Sequence, residues 1–232
     1  MLKFNFLGAG AWGLAFANHL LRCDNKIHIY TRNPLKTREL AHHLLKNNID
    51  PKFKDSILNS LQNFPNVTDP DTFNVVATNS IGFSELINLY PDYFTSTHSL
   101  IWLTKGLDHR TGNLFSDLLV NKFNISELAL ISGPSFADDL VNKANIDVSL
   151  AVTSEILKDK LINCMQKPYF KLSPVDDIKA IEYAGIIKNI AAILSGMSDK
   201  IHGYSKYTDK IIGLAKADII DFRQTYITGR KD

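Results

Sequence analysis

The 232-residue chain is poor in cysteine, methionine and tryptophan, with two, three and two residues respectively. Cys23 and Cys164 form no C-x-x-C pair and are too few for a disulfide scaffold, which fits a reducing, cytoplasmic setting. Neither sign of charge prevails. The 26 Lys and Arg against 24 Asp and Glu leave a formal +2, too balanced for a dedicated nucleic-acid or polybasic membrane binder. No run of roughly eighteen apolar residues is present, so no membrane insertion is expected. The N-terminus also lacks the basic-then-apolar layout of a signal peptide. The histidines at 19, 28, 42, 43, 98 and 109 form no H-E-x-x-H or Cys/His grouping, so no metal site is expected, and His42-His43 reads as a solvated helix face. Hydrophobic residues are 45% and charged residues 22%, an ordinary globular balance for one or two domains.

Short apolar runs alternate with amphipathic stretches over the first three quarters of the chain. Strands are expected at 4–7, 27–30, 73–77, 100–103, 128–131, 148–152 and 169–172, with helices at 11–21, 35–46 and between most of the others. Strand–helix alternation predicts an α/β fold, a doubly wound, mostly parallel sheet covered on both faces. Near Pro174 the pattern changes to two long helices, 176–197 and 208–223. Domains are therefore expected at 1–174 and 175–232, the second small and all-helical. Ile178, Ile181, Ile186, Ile187, Ile190, Ile193 and Leu194 spread around most of the first long helix. A helix apolar nearly all round is normally buried in a core or against a partner chain.

Gly8-Ala9-Gly10-Ala11-Trp12-Gly13 is a G-x-G-x-x-G between the first strand and the first helix. A pyrophosphate needs close backbone approach there, and the helix N-terminus supplies free N–H groups and positive dipole. That points to NAD or NADP. The acid that usually ends the second strand and holds the NAD ribose is missing; Tyr30-Thr31-Arg32-Asn33 stands in its place. Arg32 suits stacking on adenine or pairing with a 2′-phosphate, and equally a solvated loop. Lys105, in Thr104-Lys105-Gly106-Leu107, follows a strand where ligands of open parallel sheets bind. Lys188, beside Asn189 in an otherwise apolar helical run, invites a desolvated general base, its pKa lowered further by a second cation such as Lys105.

Gly133-Pro134-Ser135-Phe136-Ala137 imitates a hydrolase nucleophile elbow, with Ala137 in place of the second glycine. A helix-capping Ser135 with Asp138 three residues on explains it better. A triad would also need a later histidine, and only His202 is available.

Taken together, these segments resemble the bacterial NAD(P)-dependent glycerol-3-phosphate dehydrogenases. The likeness runs in order through the glycine loop, Tyr30-Thr31-Arg32, Thr104-Lys105-Gly106-Leu107, the run from Leu130 to Ala137 and the run from Glu182 to Asn189. It implies a Rossmann domain followed by a helical substrate domain, and reduction of dihydroxyacetone phosphate to sn-glycerol 3-phosphate. By the same resemblance Lys188 is the acid/base lysine, and Lys105, Gly133, Ser135 and Asn189 meet the substrate. Gly8, Gly10, Ala11, Trp12, Gly13, Arg32, Lys105 and Ala137 meet NAD or NADP.

The chain departs from that family at several points. Asn79 replaces a proline, Ser205-Lys206 stands near an Asp-Asn pair, and Gly213-Leu214 near a Thr-Arg. The sequence ends at Asp232, before the segment with which the family grips the substrate phosphate, so a C-terminally shortened member is expected, with Arg230 as a substitute grip. Alternatives stay open: a catalytically impaired NAD(P)-binding paralogue, a dehydrogenase of another substrate, or a subunit that needs a partner or forms a homodimer through its helical region.

Overall fold

A computed structural model describes residues 1–61, 64, 69, 71–95, 99–203 and 206–227 of the chain. In chain order these residues form β1 (Lys3–Leu7), α1 (Ala11–Arg22), β2 (Lys26–Thr31), α2 (Pro34–Leu45), α3 (Phe53–Ser56), β3 (Ile57–Ser60), β4 (Thr72–Val76), α4 (Ser80–Leu89) and α5 (Asp92–Thr95). There follow β5 (Ser99–Trp102), α6 (Phe115–Phe123), β6 (Glu127–Ser132), α7 (Ala137–Val141), β7 (Ile146–Val152), α8 (Glu155–Met165) and β8 (Phe170–Val175). Two helices, α9 (Ile178–His202) and α10 (Thr208–Phe222), end the described chain apart from a short π-helical turn at Arg223–Ile227. His98, Ser205, Arg230 and the rest of the tail from 228 to 232 lie outside the described residues.

The strands make one sheet of order β3-β2-β1-β4-β5-β6-β7-β8. Its first six strands are mutually parallel and follow the doubly wound dinucleotide order, with the reversal of winding between β1 and β4. Two features differ from the expected pattern. A four-residue strand, β3, extends the sheet beside β2; so short an edge strand shows no usable alternation. In addition, β7 runs antiparallel to β6, and β8 follows β7 in parallel. Helix α7 has five residues, about 8 Å of axis, too little to carry the chain back along β6 for a parallel return.

Two cores cover the two faces of the sheet. Phe4, Phe6, Phe16, Leu20 and Phe73 belong to one; Leu7, Val76, Phe83, Trp102 and Phe115 belong to the other. Alternation along β1 divides them, Phe4 and Phe6 to one side and Leu7 to the other. Helix α2 buries Thr37, Ala41 and Leu45, four residues apart, a single stripe facing the sheet. Its start is fixed by Pro34 in the first turn and by Asn33, whose side chain accepts from the Lys36 amide at 3.0 Å. His42 and His43 lie exposed on its outer face.

The α9–α10 hairpin is covered differently. Of the 25 residues of α9 only Glu182 and Gly185 are buried, and α10 buries none. Contrary to the sequence expectation, Ile190, Ile193 and Leu194 are exposed. Helix α9 is also, by length and composition only, long and apolar enough to cross a membrane. It still holds no unbroken apolar run of roughly eighteen residues, since Lys179, Glu182, Lys188 and Asp199 interrupt it. In the fold α9 is held by the sheet and by α10: Tyr183 stacks on Phe222 with centroids 3.9 Å apart and donates to Asp218 at 2.8 Å.

Candidate active site

The glycine loop leaves β1 where the winding of the sheet reverses, and its three glycines meet three different demands. Gly8 adopts φ +92°, and a Cβ there would stand 2.3 Å from Thr78 Cγ2. A Cβ on Gly13 would stand 2.7 Å from that of Ala77, so α1 can pack against the end of β4 only without one. Above Gly10 a Cβ would meet nothing nearer than the Ala77 carbonyl at 4.0 Å, which leaves open approach to the backbone. Gly10 caps α1 with no side-chain acceptor, and no acid stands in the first turn. The positive end of the helix is therefore uncompensated.

A cleft of about 650 Å³ opens over this loop, within the usual range for a cofactor site. Gly8, Gly10, Ala11, Trp12, Gly13 and Arg32, among the residues expected from the sequence to meet the cofactor, all line it. So do Thr78 and Glu85, which were not expected there. Thr78 carries a buried hydroxyl with no hydrogen-bond partner among the described residues, a polar group that a ligand or a water would satisfy. An amide-lined helix end, glycines that a Cβ would clash with, and an unpartnered hydroxyl together fit a dinucleotide. Nothing in the residues before Thr78 signals that hydroxyl; its place just beyond β4, at the reversal point, is the only pointer.

Lys105 and Ala137, also expected to meet the cofactor, do not line this cleft, and neither does Ser135. The expected capping role of Ser135 is not observed: Phe136 occupies the N-cap of α7 with no side-chain bond. Ser135 Oγ instead accepts from Trp12 Nε1 at 2.9 Å. The Trp12 ring stacks on Phe16 at 5.2 Å, so its partly buried N–H needs an acceptor that the apolar core does not offer. That bond ties the β6–α7 loop to the glycine loop.

Beyond the loop Lys188 is near enough for its charge to act on Lys105. Lys105 follows β5, is partly buried, and donates through Nζ to the Gly133 carbonyl at 3.0 Å. Gly185 of α9 is packed so closely that a Cβ there would come within 3.6 Å of Lys105 Cγ and 3.5 Å of Ser132 Oγ. Lys188 lies three positions on, and so on the same side of α9. Burial holds the pKa of Lys105 below the usual ammonium value, and the charge of Lys188 lowers it further. The desolvation expected at Lys188 is found at Lys105: Lys188 and Asn189 are exposed, because this stretch of α9 runs past the sheet without cover. The pair offers two cations, one of them partly dehydrated, to an anionic or carbonyl substrate.

Glu182, the other buried group of α9, accepts from the amides of Phe115 and Ser116 at 2.7 and 3.2 Å, capping α6. Burial raises its carboxyl pKa to about 7 despite those bonds, and Asp117 adds to the rise. Among the described residues no group of three His, Cys, Asp or Glu is placed to hold a metal.

Comparison with known proteins agrees with this geometry. The model of the NAD-dependent glycerol-3-phosphate dehydrogenase N-terminus matches residues 3–157. The glycerol-3-phosphate dehydrogenase (NAD(P)+) of Legionella pneumophila strain Lens is 30% identical over 201 residues, 85% of this chain and 60% of that protein. That of Wigglesworthia glossinidia brevipalpis is 30% identical over 207 residues, again 60% of its length. The crystal structure of the Coxiella burnetii glycerol-3-phosphate dehydrogenase superposes with a TM-score of 0.78 at 27% identity, over 99% of this chain and 70% of that one. The chain thus spans about 60% of the length of the curated relatives it matches.

Proposed function

The chain belongs to the NAD-dependent glycerol-3-phosphate dehydrogenase family, and on that premise we propose that it interconverts dihydroxyacetone phosphate and sn-glycerol 3-phosphate in the cytoplasm. The observation that carries this reading is Lys105, two residues beyond the cleft-lining Leu103, fixed on the Gly133 carbonyl and in contact range of Gly185 on α9. A dinucleotide held in the cleft would supply or accept the hydride. Gly8, Gly10, Ala11, Trp12 and Gly13 seat its pyrophosphate, with Ala137 behind them and Arg32 at the rim. Lys105, fixed on the Gly133 carbonyl, orients the substrate oxygen, with Ser135 and Asn189 contributing polar contacts. Lys188 carries the hydroxyl proton at C2. Residues 1–174 form the dinucleotide domain in this reading, and 175–232 a helical domain for substrate and for pairing of two copies.

The test is dihydroxyacetone-phosphate-dependent oxidation of NADH and of NADPH, with Lys188→Ala as comparison. The variant is expected to lose about 10²–10⁴-fold in kcat, the scale of a general acid, while still binding dinucleotide. Unchanged turnover in the variant would sink the assignment of Lys188. A second reading, dinucleotide binding without this turnover, draws on the exposure of Lys188 and Asn189; a folded, dinucleotide-bound chain with no triose-phosphate activity would establish it.

A further inference from the structure

At the far rim of the cleft, Arg32 leaves the C-terminal end of β2, where a doubly wound fold receives the adenosine ribose. Its Nη1 pairs with Glu85 Oε2 at 3.1 Å. Glu85 comes from α4, 53 positions away, and both residues line the cleft together with Lys36. The end of β2 is Tyr30-Thr31 and carries no acid, so the only carboxylate lining this cleft among the described residues arrives from α4. An unphosphorylated ribose needs a hydrogen-bond acceptor there, whereas a 2′-phosphate needs a free cation and repels a carboxylate. Arg32 and Glu85 supply both, already engaged with each other.

We propose that Glu85 is a selectivity residue for the dinucleotide: by holding Arg32 it handicaps a 2′-phosphate and keeps the unphosphorylated cofactor competitive. The pair is weak enough to be exchanged. The Arg32 side chain is 76% and that of Glu85 44% exposed, and ion pairs that open to water are easily displaced. A phosphate dianion, able to take the guanidinium through two oxygens, can capture Arg32 at the cost of moving Glu85 aside. An unphosphorylated ribose leaves the pair intact. The inference rests on the cleft holding a dinucleotide, though not on which substrate is reduced.

The experiment is calorimetric titration of the full chain with 2′,5′-ADP and with 5′-ADP, read as the ratio of the two dissociation constants. Glu85→Gln is expected to shift that ratio toward 2′,5′-ADP by about fivefold, the scale of one exposed charge pair. Arg32→Ala is expected to shift it the other way by about tenfold or more. If both compounds bind and neither substitution moves the ratio, or both affinities change in proportion, Glu85 does not select and the inference is overturned while the dinucleotide site stands. If neither compound binds the unaltered chain, the inference and the dinucleotide reading beneath it both fall.

Discussion

Phe6, Phe16 and Phe73 of the sheet domain are at most 1% exposed, whereas Ile193 of α9 and Leu214 of α10, also large and apolar, are 64% and 62% exposed. Helices α1, α2, α7 and α8 cover one face of the sheet and α4, α5 and α6 the other, with Ile178 and Ile181 of α9 packed against the second. The hairpin instead hangs on a few specific contacts, among them Glu182 on the amides of α6, Tyr183 on Phe222 and Lys179 on Asp117 at 2.6 Å. Apolar content was therefore a poor guide to cover. In the sheet, each strand brings its own neighbours by hydrogen bonding. In the hairpin, the helices satisfy their backbone internally and can leave an apolar face open without a broken hydrogen bond. The cleft lies in the first region and the acid/base lysine proposed above in the second, so activity depends on how firmly the two are joined.

The widest contrast is in truncations at the two ends of that comparison. Phe16→Ala removes a ring packed between Phe6, Trp12 and Phe170, with no side chain free to refill the space. We expect a loss of about 3–5 kcal/mol in unfolding free energy by urea titration. A loss under about 1 kcal/mol would mean that this core is loosely packed, and the contrast with the hairpin would disappear.

The same contrast decides what was legible in the sequence. The glycine loop was readable residue by residue because its demands are local: a left-handed Gly8, an open Gly10, a close-packed Gly13. The end of β2 was half readable, since Arg32 stands in the strand–loop sequence while its partner Glu85 arrives from a distant helix. Asn79, where the family resemblance leads one to expect proline, shows why a substitution can be silent in outline. It sits at φ −72°, which proline would also adopt, and its side chain caps α4 by accepting from the Gly82 amide at 2.8 Å. Lys188 was misjudged because an apolar run says that cover is wanted, and does not say that cover is present. The direction of β7 was missed for a similar reason: strand pattern does not encode polarity, and only the brevity of α7 reveals it.

Two buried titratable groups, one in each region, sharpen the comparison through pH. His19 of α1 is fully buried, with Nε2 2.7 Å from the Met165 carbonyl, and burial lowers its pKa to about 4. The unfolded chain then binds more protons than the folded one, so stability is lost as pH falls from about 6.5 toward 4. Glu182 has the opposite sign. Its folded pKa, about 7, lies above the unfolded value, so its contribution is fully present below the unfolded pKa near 4.5 and is lost as pH rises through 7. Glu182→Gln should therefore gain on the wild type across that window by on the order of 2–3 kcal/mol. His19→Gln should gain in the reverse direction, as pH falls below 6.5. Thermal or urea unfolding of the three proteins between pH 4 and 8 measures both slopes. A stability difference for Glu182→Gln that stays flat with pH would show that Glu182 is already ionised in the fold and that the hairpin is docked less tightly than its geometry indicates.

The smallest effect is expected where the apolar side chain is most open. Ile193 has lost little contact with water, so Ile193→Ser removes almost no burial and adds a residue only slightly worse in a helix. Its unfolding free energy should stay within about 0.5 kcal/mol of the wild type, against several kcal/mol for Phe16→Ala. The comparison holds at any protein concentration only if the hairpin face is free in the unaltered chain. A cost above about 1.5 kcal/mol that grows with protein concentration would mean that two copies cover Ile193 between them, since association stabilises by mass action. A similar cost independent of concentration would place the cover within the same chain and would make the hairpin a core in its own right.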